Sequence, residues 1–431
     1  MFTSFNTALS ALSADTTAID VVGNNLANLN TPGYKASVVS FSDLVTESLG
    51  AGLGETQVGF GVASPITIRQ FSQGAIQSSS GALDVAIQGD GFLVVSDPTN
   101  NGGTLYTRGG NLEVNKAGQL VTATGFQVQG WNAVDGVLDT TTPPTNLSVQ
   151  VGSLTAPKPT ANVSFDLNLD AAAVSTPTAT TFSTSITTYD SLGGSHAVSV
   201  QFTKTSALGA IPSSWDYAMT FPVSDLDPAA GAATQMPSPG TVEFDTNGNM
   251  TSPVSPTLAA PSPALAVTGL ANGASPMNIS LNLFDNSTPP QPRLTMYSQT
   301  SAVSANSQDG SPAAQLTHIG IADGGQVIAK YSNGAQIAVG QLAMASIVNP
   351  QSLIASGNNN YQLSSKSALP AIGLPSSGGR GQILGGSIES STVDIAKEFT
   401  NLIVYQRAYE ANSKVITTTD QLSQSTIALI R

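Results

Sequence analysis

The chain has 431 residues, enough for about three domains of ordinary size. Its 14 basic and 27 acidic residues give a net charge of −13, which excludes a basic nucleic-acid-binding surface as its main function. There is no cysteine and there are only two histidines, so disulfides, thiolate metal sites and cysteine nucleophiles are excluded. From these counts we expect no cofactor, no bound metal and no enzymatic activity.

The low charge and the termini give further expectations. Only 10% of the residues are charged, against about 25% in ordinary soluble domains, which favours a chain that packs against copies of itself. The N-terminal segment has no basic residue before Lys35, so we do not expect a cleaved signal peptide. No apolar run is long enough to span a bilayer, so we expect no membrane insertion.

The N-terminal segment carries a heptad pattern that predicts an amphipathic helix. Large apolar residues recur at every seventh position, and Leu9 occupies a neighbouring position of the heptad. The set is Phe5, Leu9, Leu12, Ile19 and Leu26. Thr31-Pro32-Gly33 then predicts the end of the helix.

The C-terminal segment predicts a second helix with the same spacing. Its apolar positions are Ile395, Phe399, Leu402, Tyr409 and Ile416, continued by Leu422 and Leu429. Ser391 and Asp394 predict an N-cap and a variant capping box at its start. Each helix could pack on a core of its own domain, which is the commoner arrangement. We favour an assembly interface, because the two patterns lie at opposite ends of the chain and Gly23-Asn24-Asn25 weakens the first helix in isolation.

The middle of the chain alternates apolar and polar residues around Asp-Gly and Asn-Gly turns, which predicts β-hairpins. We therefore predict an α+β fold, with paired, coiled-coil-like terminal helices around nested, mainly β, inner and outer domains. The predicted boundaries are 1–30 and 387–431 for the helical core domain, 31–75 and 371–386 for a Gly-rich connector, 76–144 and 286–370 for the inner β domain, and 145–285 for the outer β domain. Gly50, Gly52 and Gly54 belong to that connector, where they would let neighbouring subunits shift.

An enzyme would need a site, and the candidates are weak. His196 lies near Ser191 and Asp190, but a serine-rich chain produces such proximity by chance, and no Gly-x-Ser-x-Gly motif supports it. His318 has no more support. Asp245 to Asn249 spaces oxygen atoms like a calcium loop, yet the twelfth position is Pro256 where a glutamate is needed, so a hairpin turn is favoured.

A β-rich adhesin or carbohydrate-binding module is a second class of function. Trp215 and Tyr217 could form a stacking platform for a ligand, although core packing is the commoner role of such residues. The terminal helices argue against this class, because an adhesin does not need matching helices at both ends.

Three segments resemble the axial proteins of the bacterial flagellum, the family of rod and hook subunits. The segment from 24 to 35 resembles their N-terminal signature through Asn24, Asn25, Asn28, Thr31, Pro32, Gly33, Tyr34 and Lys35. Leu83 to Phe92 (LDVAIQGDGF) resembles their first β domain, and Val393 to Thr418 resembles their C-terminal helix. The size of the insertion and Gln129–Trp131 favour a hook subunit, with a distal rod or other axial subunit as the alternative.

The resemblance implies a structural subunit of the flagellar hook, a flexible curved tube that acts as a universal joint between rod and filament. It implies export, unfolded and without a cleaved signal, through the flagellar type III apparatus to an extracellular position. The implied partners are copies of the chain itself, the distal rod, the hook cap, the hook–filament junction proteins and the export apparatus. The apolar positions of the two helices would form the assembly interface.

Overall fold

A computed structural model describes residues 2–44, 46–49, 56–99, 102–134, 136–149, 152, 154–228, 239–254 and 264–429. The chain divides into two compact units. Unit 1 comprises residues 1–151, 317–330 and 336–431, and unit 2 comprises residues 152–316 and 331–335. Gly50, Gly52 and Gly54 of the predicted connector lie outside the described residues.

The two predicted terminal helices are confirmed, and mostly β structure lies between them. Helix α1 spans Phe2–Ala27 and helix α2 spans Ile395–Leu429. Asp394 caps α2, because its Oδ1 accepts hydrogen bonds from the backbone N–H groups of Ala396 (2.8 Å) and Lys397 (3.1 Å). The Ser391 hydroxyl instead accepts from the N–H of Val393, one residue before the cap, so Asp394 alone is the N-cap.

The strands of the first part of unit 1 are short. In chain order they are β1 Ser37–Ser40, β2 Thr46–Leu49, β3 Thr56–Gly59, β4 Ile66–Arg69, β5 Ile76–Ser78, β6 Val85–Gln88, β7 Phe92–Asp97, β8 Gly103–Thr107, β9 Leu112–Val114, β10 Leu120–Thr122, β11 Gln127–Val134, β12 Val137–Leu138 and β13 Thr145–Asn146.

Unit 2 contributes the next strands, the last of which continues into unit 1 at Thr317. They are β14 Leu154–Thr155, β15 Asn162–Asn168, β16 Thr181–Tyr189, β17 Ser195–Lys204, β18 Ser213–Thr220, β19 Gly240–Phe244, β20 Met250–Ser252, β21 Ala264–Val267, β22 Met277–Asn282, β23 Leu294–Thr295, β24 Ala302–Gln308 and β25 Ala314–Ile321. A 3-10 turn, η1, spans Val223–Asp225.

The chain then returns to unit 1. The remaining strands are β26 Gln326–Tyr331, β27 Gln336–Leu342, β28 Met344–Ser346, β29 Ile354–Gly357, β30 Asn360–Gln362, β31 Ala371–Gly373, β32 Gln382–Gly385 and β33 Ser387–Glu389, with a second 3-10 turn, η2, at Pro350–Ser352.

The β core of unit 1 brings together segments that are distant in sequence. Its main ladder runs in the order β26-β27-β11-β7-β8-β30-β29. Strand β7 is the buried centre, where Leu93, Val94 and Val95 are inaccessible to solvent. Two late strands pair with early ones, β32 with β6 and β33 with β5. The N-terminal and C-terminal parts of the chain are therefore hydrogen-bonded into one unit.

Unit 2 contains two sheets that share one apolar core. One sheet has the order β16-β17-β18-β19-β20, and the other has the order β21-β22-β15-β23 with β24 added beside β15. Buried and accessible residues alternate along β17 and β18, as expected for sheets with one face in the core. Trp215 lies in that core and is fully buried, which makes it a packing residue and not an exposed stacking platform.

Candidate assembly interface

The apolar positions predicted on α1 are largely accessible in the isolated chain. Phe5 is 37% exposed and Leu9 is 51% exposed, while Leu12, Ile19 and Leu26 are partly buried. The fully buried apolar positions of α1 are smaller residues, Ala8, Ala14, Ala18 and Val22. The helix therefore uses a small-residue face within the chain and leaves its largest apolar side chains at the surface.

Helix α2 is still more exposed. Ile395, Phe399, Tyr409 and Leu422 are between 43% and 62% exposed, and Leu402 and Ile416 are partly buried. The side chain of Leu429 lies outside the described residues. Further large apolar residues are exposed on the same helix, namely Ile403, Val404, Val415 and Ile427. Among the described side chains of α2, only that of Glu398 is buried. Exposed apolar side chains grouped on one element in this way are typical of interaction sites.

The two helices contact each other, and a buried polar pair lies between them. The Asn412 amide donates a 2.9 Å hydrogen bond to Oδ2 of Asp15, which is 7% exposed. Tyr34, just beyond the end of α1, accepts a hydrogen bond at its carbonyl from the N–H of Thr392, just before α2. Because the end of α1 lies beside the start of α2, the helices run in opposite directions.

The polar segment after α1 is folded back on the helix by Asn25, which is 1% exposed. Its Oδ1 accepts from the Ser37 N–H at 3.0 Å and from the Tyr34 hydroxyl at 3.3 Å, and its amide donates to the Ser37 carbonyl at 2.8 Å. Asn28 continues the turn, donating to Asn24 and accepting from the Thr31 hydroxyl. The asparagines of this motif thus satisfy the backbone where the helix ends.

Lys35 is the buried end of the motif. Its Nζ donates to Oε1 of Glu389 at 2.7 Å and to the Ser72 carbonyl at 2.6 Å, and both charged side chains are no more than 1% exposed. Nη1 of Arg108 lies 3.6 Å from the other carboxylate oxygen of Glu389. Burial lowers the pKa values of Lys35 and Arg108 below their ordinary ranges, and the negative charge of Glu389 opposes both shifts.

Residues 33–36 and 389–392 form what we call the terminal clasp. The N–H of Gly33 donates to the Glu389 carbonyl at 2.8 Å, and the N–H of Ala36 donates to the Thr392 hydroxyl at 2.9 Å. Gly33 has a φ of +71°, and a Cβ there would lie 2.6 Å from the Arg108 carbonyl oxygen. The motif residues of positions 24–35 therefore build a junction between helix and strands, and Pro32 joins it by accepting from the Asn359 amide.

Sequence reasoning missed Glu389, Thr392 and the role of Arg108. The available signal was weak: Glu389 is the only charged residue between Arg380 and Asp394, and Arg108 follows the apolar strand β8. An isolated charge in an uncharged stretch is a candidate for a buried ion pair, but nothing in the sequence names its partner.

The enzyme candidates do not form a nucleophile and base pair. Nε2 of His196 contacts Asp190 at 2.9 Å, but the Ser191 hydroxyl accepts from the Ser275 N–H instead of contacting the imidazole. Asp245 accepts from the N–H groups of Asn247 and Asn249 in the turn between β19 and β20. Within the described ranges no three acidic or imidazole side chains converge as metal ligands. No described helix is both long and apolar enough to cross a membrane.

Terminal helices joined by an asparagine-rich motif to nested β structure define a flagellar axial protein, and family models support this class along most of the chain. Residues 5–35 match the flagella basal body rod protein model and residues 86–167 match the flagellar hook protein FlgE/F/G D1 domain. Residues 161–311 match the flagellar basal body protein FlaE D2 domain, and residues 384–429 match the flagellar basal body rod FlgEFG protein C-terminal model.

Relatives that match over nearly the whole of both chains identify the family within this class. The chain is 31% identical to the flagellar hook protein FlgE of Escherichia coli, with 99% of both chains covered, and 29% identical to FlgE of Treponema pallidum, with 100% of both covered. The chain belongs to the flagellar hook protein family. The crystal structure of the Helicobacter pylori flagellar hook protein FlgE2 shares its fold, with a TM-score of 0.51 and 15% identity over 72% of this chain and 99% of that one.

Proposed function

We propose that this chain is the structural subunit of a flagellar hook and that it polymerises into a curved, flexible tube transmitting torque from rod to filament. Membership of the hook protein family supports this function. In the polymer, α1 and α2 form a coiled-coil-like pair in the innermost layer. The predicted connector and the inner and outer β domains lie successively further out. The chain reaches this position through the flagellar type III export apparatus without a cleaved signal, and it contacts the distal rod, the hook cap and the junction proteins.

The observation that best supports polymerisation is the apolar surface that the two helices expose. Leu9 and Phe399 are each about half exposed, although both belong to heptad patterns that predict burial. Burying such side chains between copies stabilises an assembly by about 25 cal/mol for each Å² of apolar surface removed from water. Six of the predicted interface residues have the accessibility that contacts between subunits require, namely Phe5, Leu9, Ile395, Phe399, Tyr409 and Leu422.

The test compares assembly with the stability of the single chain. Phe399→Ser and Leu9→Ser should abolish tube formation induced by a salting-out salt and examined by negative-stain electron microscopy. Neither should change the free energy of unfolding of the monomer by more than about 0.5 kcal/mol, because both sites are at the surface. Gln406→Ser, at an exposed polar position of α2, is the matched control and should still form tubes.

The shape of the wild-type assembly distinguishes the family members. Curved tubes from the full chain, and none from a chain lacking residues 1–30, support a hook subunit built on its terminal helices. Straight, rigid tubes would indicate a rod subunit instead. If the full chain stays monomeric in every salting-out condition, the proposal that it polymerises is wrong.

A further inference from the structure

His196 occupies a buried position in unit 2 between two carboxylates. Its Nε2 lies 2.9 Å from Oδ2 of Asp190 and its Nδ1 lies 2.8 Å from Oδ2 of Asp225. The histidine is 7% exposed, Asp190 is fully buried and the Asp225 side chain is 31% exposed. The ring of Phe221 packs against the imidazole with centroids 5.0 Å apart.

This geometry defines the protonation state of the ring. A carboxylate oxygen only accepts hydrogen bonds when ionised, so two such contacts require a proton on each ring nitrogen. Burial alone lowers the pKa of His196, but the hydrogen bonds and charges of Asp190 and Asp225 outweigh it and raise the pKa above its ordinary value. Among the described residues, these two carboxylates are the charged groups that act on the imidazole.

Asp190 is held independently of the histidine. It accepts hydrogen bonds from the N–H groups of Leu192 and Gly194 and from the Asn272 amide. These bonds and the one from His196 outweigh its burial and keep the pKa of Asp190 below its ordinary value. Asp190 therefore stays ionised when the histidine loses its charge, and the proton that remains on the ring is the one on Nε2, which donates to Asp190.

Asp225 is the weaker partner and lies on a separate segment. It ends the turn η1, its carbonyl accepts from the N–H of Ala271, and the N–H of Asp227 donates to the Gly269 carbonyl. Leu226, buried between them, bridges to Leu270. His196 therefore joins the turn after β16 to the stretch 223–227, and the loop 269–273 is attached to that stretch by backbone hydrogen bonds and to Asp190 by the Asn272 amide.

We propose that His196 is a proton-dependent link within unit 2, which holds residues 223–227 against the sheet while it is charged and releases Asp225 when it becomes neutral. A neutral imidazole with its proton facing Asp190 presents a lone pair to Asp225, and two acceptors at 2.8 Å repel. The release is local because Asp190 keeps its other donors. This device acts within unit 2 and is separate from the assembly surface of the helices.

The direction of the pH dependence follows from linkage. The folded pKa of His196 is raised, so its contribution to the stability of unit 2 is complete below the unfolded value of about 6.5 and is lost as the pH rises through the folded value. One proton is involved, so the equilibrium constant for opening rises by up to about tenfold per pH unit within that window.

The first measurement needs no variant. In the full-length chain labelled with ¹³C at the histidine Cε1, only two signals are expected, from His196 and from the exposed His318. His196→Gln assigns them. The His196 signal should titrate above about pH 6.5. Titration at or below that value overturns the proposal.

Hydrogen exchange then tests the release itself. Protection factors of peptides covering 223–227 and 269–273, corrected for the intrinsic pH dependence of exchange, should be constant below about pH 6.5 and fall by up to about tenfold per pH unit as the pH rises through the folded pKa of His196. Asp225→Asn should weaken or abolish this fall, because its amide can donate to the lone pair that the neutral imidazole presents, so the two acceptors no longer repel. Glu243→Gln makes the same charge change elsewhere in unit 2 and should leave the profile in place. An identical profile in wild type and Asp225→Asn contradicts the mechanism.

Discussion

Lys35 and Glu389 form a buried ion pair with Nζ and Oε1 2.7 Å apart, although 354 positions separate them in the sequence. The pair lies in the terminal clasp, where the segment that leaves α1 meets the segment that enters α2. Arg108 contacts the same carboxylate more loosely, at 3.6 Å. Glu389 therefore faces two buried cations, and the negative charge of Asp90 also acts on Arg108.

This asymmetry predicts unequal effects of mutation. Lys35→Met should cost about 3 kcal/mol in the free energy of unfolding, and Glu389→Gln about 5 kcal/mol, since the second removes the carboxylate that contacts both buried cations. Urea unfolding of the full chain measures both. Arg407→Gln, which breaks an exposed pair with Glu410, should cost no more than about 1 kcal/mol. Equal costs for Lys35→Met and Glu389→Gln would show that Arg108 is not neutralised by Glu389.

Gly33 should tolerate no side chain, for two separable reasons. Its φ of +71° costs an L-residue about 1–2 kcal/mol, and a Cβ would meet the Arg108 backbone at 2.6 Å. Gly125 has a φ of +89° with nothing within 4 Å of an added Cβ, so Gly125→Ala measures the backbone cost alone. Gly33→Ala should destabilise the chain clearly more than Gly125→Ala in thermal unfolding. If the two substitutions cost the same, the close approach to Arg108 has no energetic consequence.

The pair of Asp15 and Asn412 should couple the two helices. Asn412→Ala leaves a buried carboxylate without its amide donor, which should cost about 1–3 kcal/mol in the stability of the helix pair, followed by circular dichroism. Adding Asp15→Ala should recover part of that loss, because the unsatisfied carboxylate is then gone. A double-mutant cycle measures the coupling, and additive losses would mean that the contact contributes nothing. Gln406→Ala, exposed on α2, is the control for helix content.

Unit 2 should also lose stability at alkaline pH through Tyr217. Burial raises the pKa of Tyr217 to about 12, so the folded state keeps its proton more tightly than the unfolded chain does. The stability this provides is complete below the unfolded value of about 10 and is lost as the pH rises from there towards about 12. Tyr217→Phe should flatten this part of the unfolding profile, whereas Tyr297→Phe, at a half-exposed site of the same unit, should not. The chain has nine tyrosines, so the difference in phenolate absorbance between the native chain and Tyr217→Phe gives the titration of Tyr217.

The helices could be predicted from the sequence, but the face that each uses within the chain could not. The heptad pattern and Pro32 place α1 close to its observed end at Ala27. The pattern weights large side chains, so it selects Phe5 and Leu9, whereas the buried positions Ala8 and Ala18 carry little hydrophobic signal. Small residues let two helices approach closely, and that preference depends on the partner helix.

Turns could also be predicted from the sequence, because their conformation depends on a few adjacent residues. Asn333-Gly334 turns the chain between β26 and β27, and Asn115 to Gly118 turns it between β9 and β10, as the sequence predicts. Pairings between strands that are distant in the sequence could not be predicted from it. Strand β6 pairs with β32 and Lys35 pairs with Glu389, and no local pattern connects residues so far apart.

The terminal clasp affects how residues can be inserted into or lost from the chain between its two segments. The polypeptide passes through the clasp at residues 33–36 and again at residues 389–392, so the residues between them form one long loop whose ends are joined there. The entropy of closing such a loop grows only with the logarithm of its length. Whole strands can therefore be gained or lost in the middle of the chain while α1 and α2 keep their partners, and the two parts of the molecule are free to evolve at different rates.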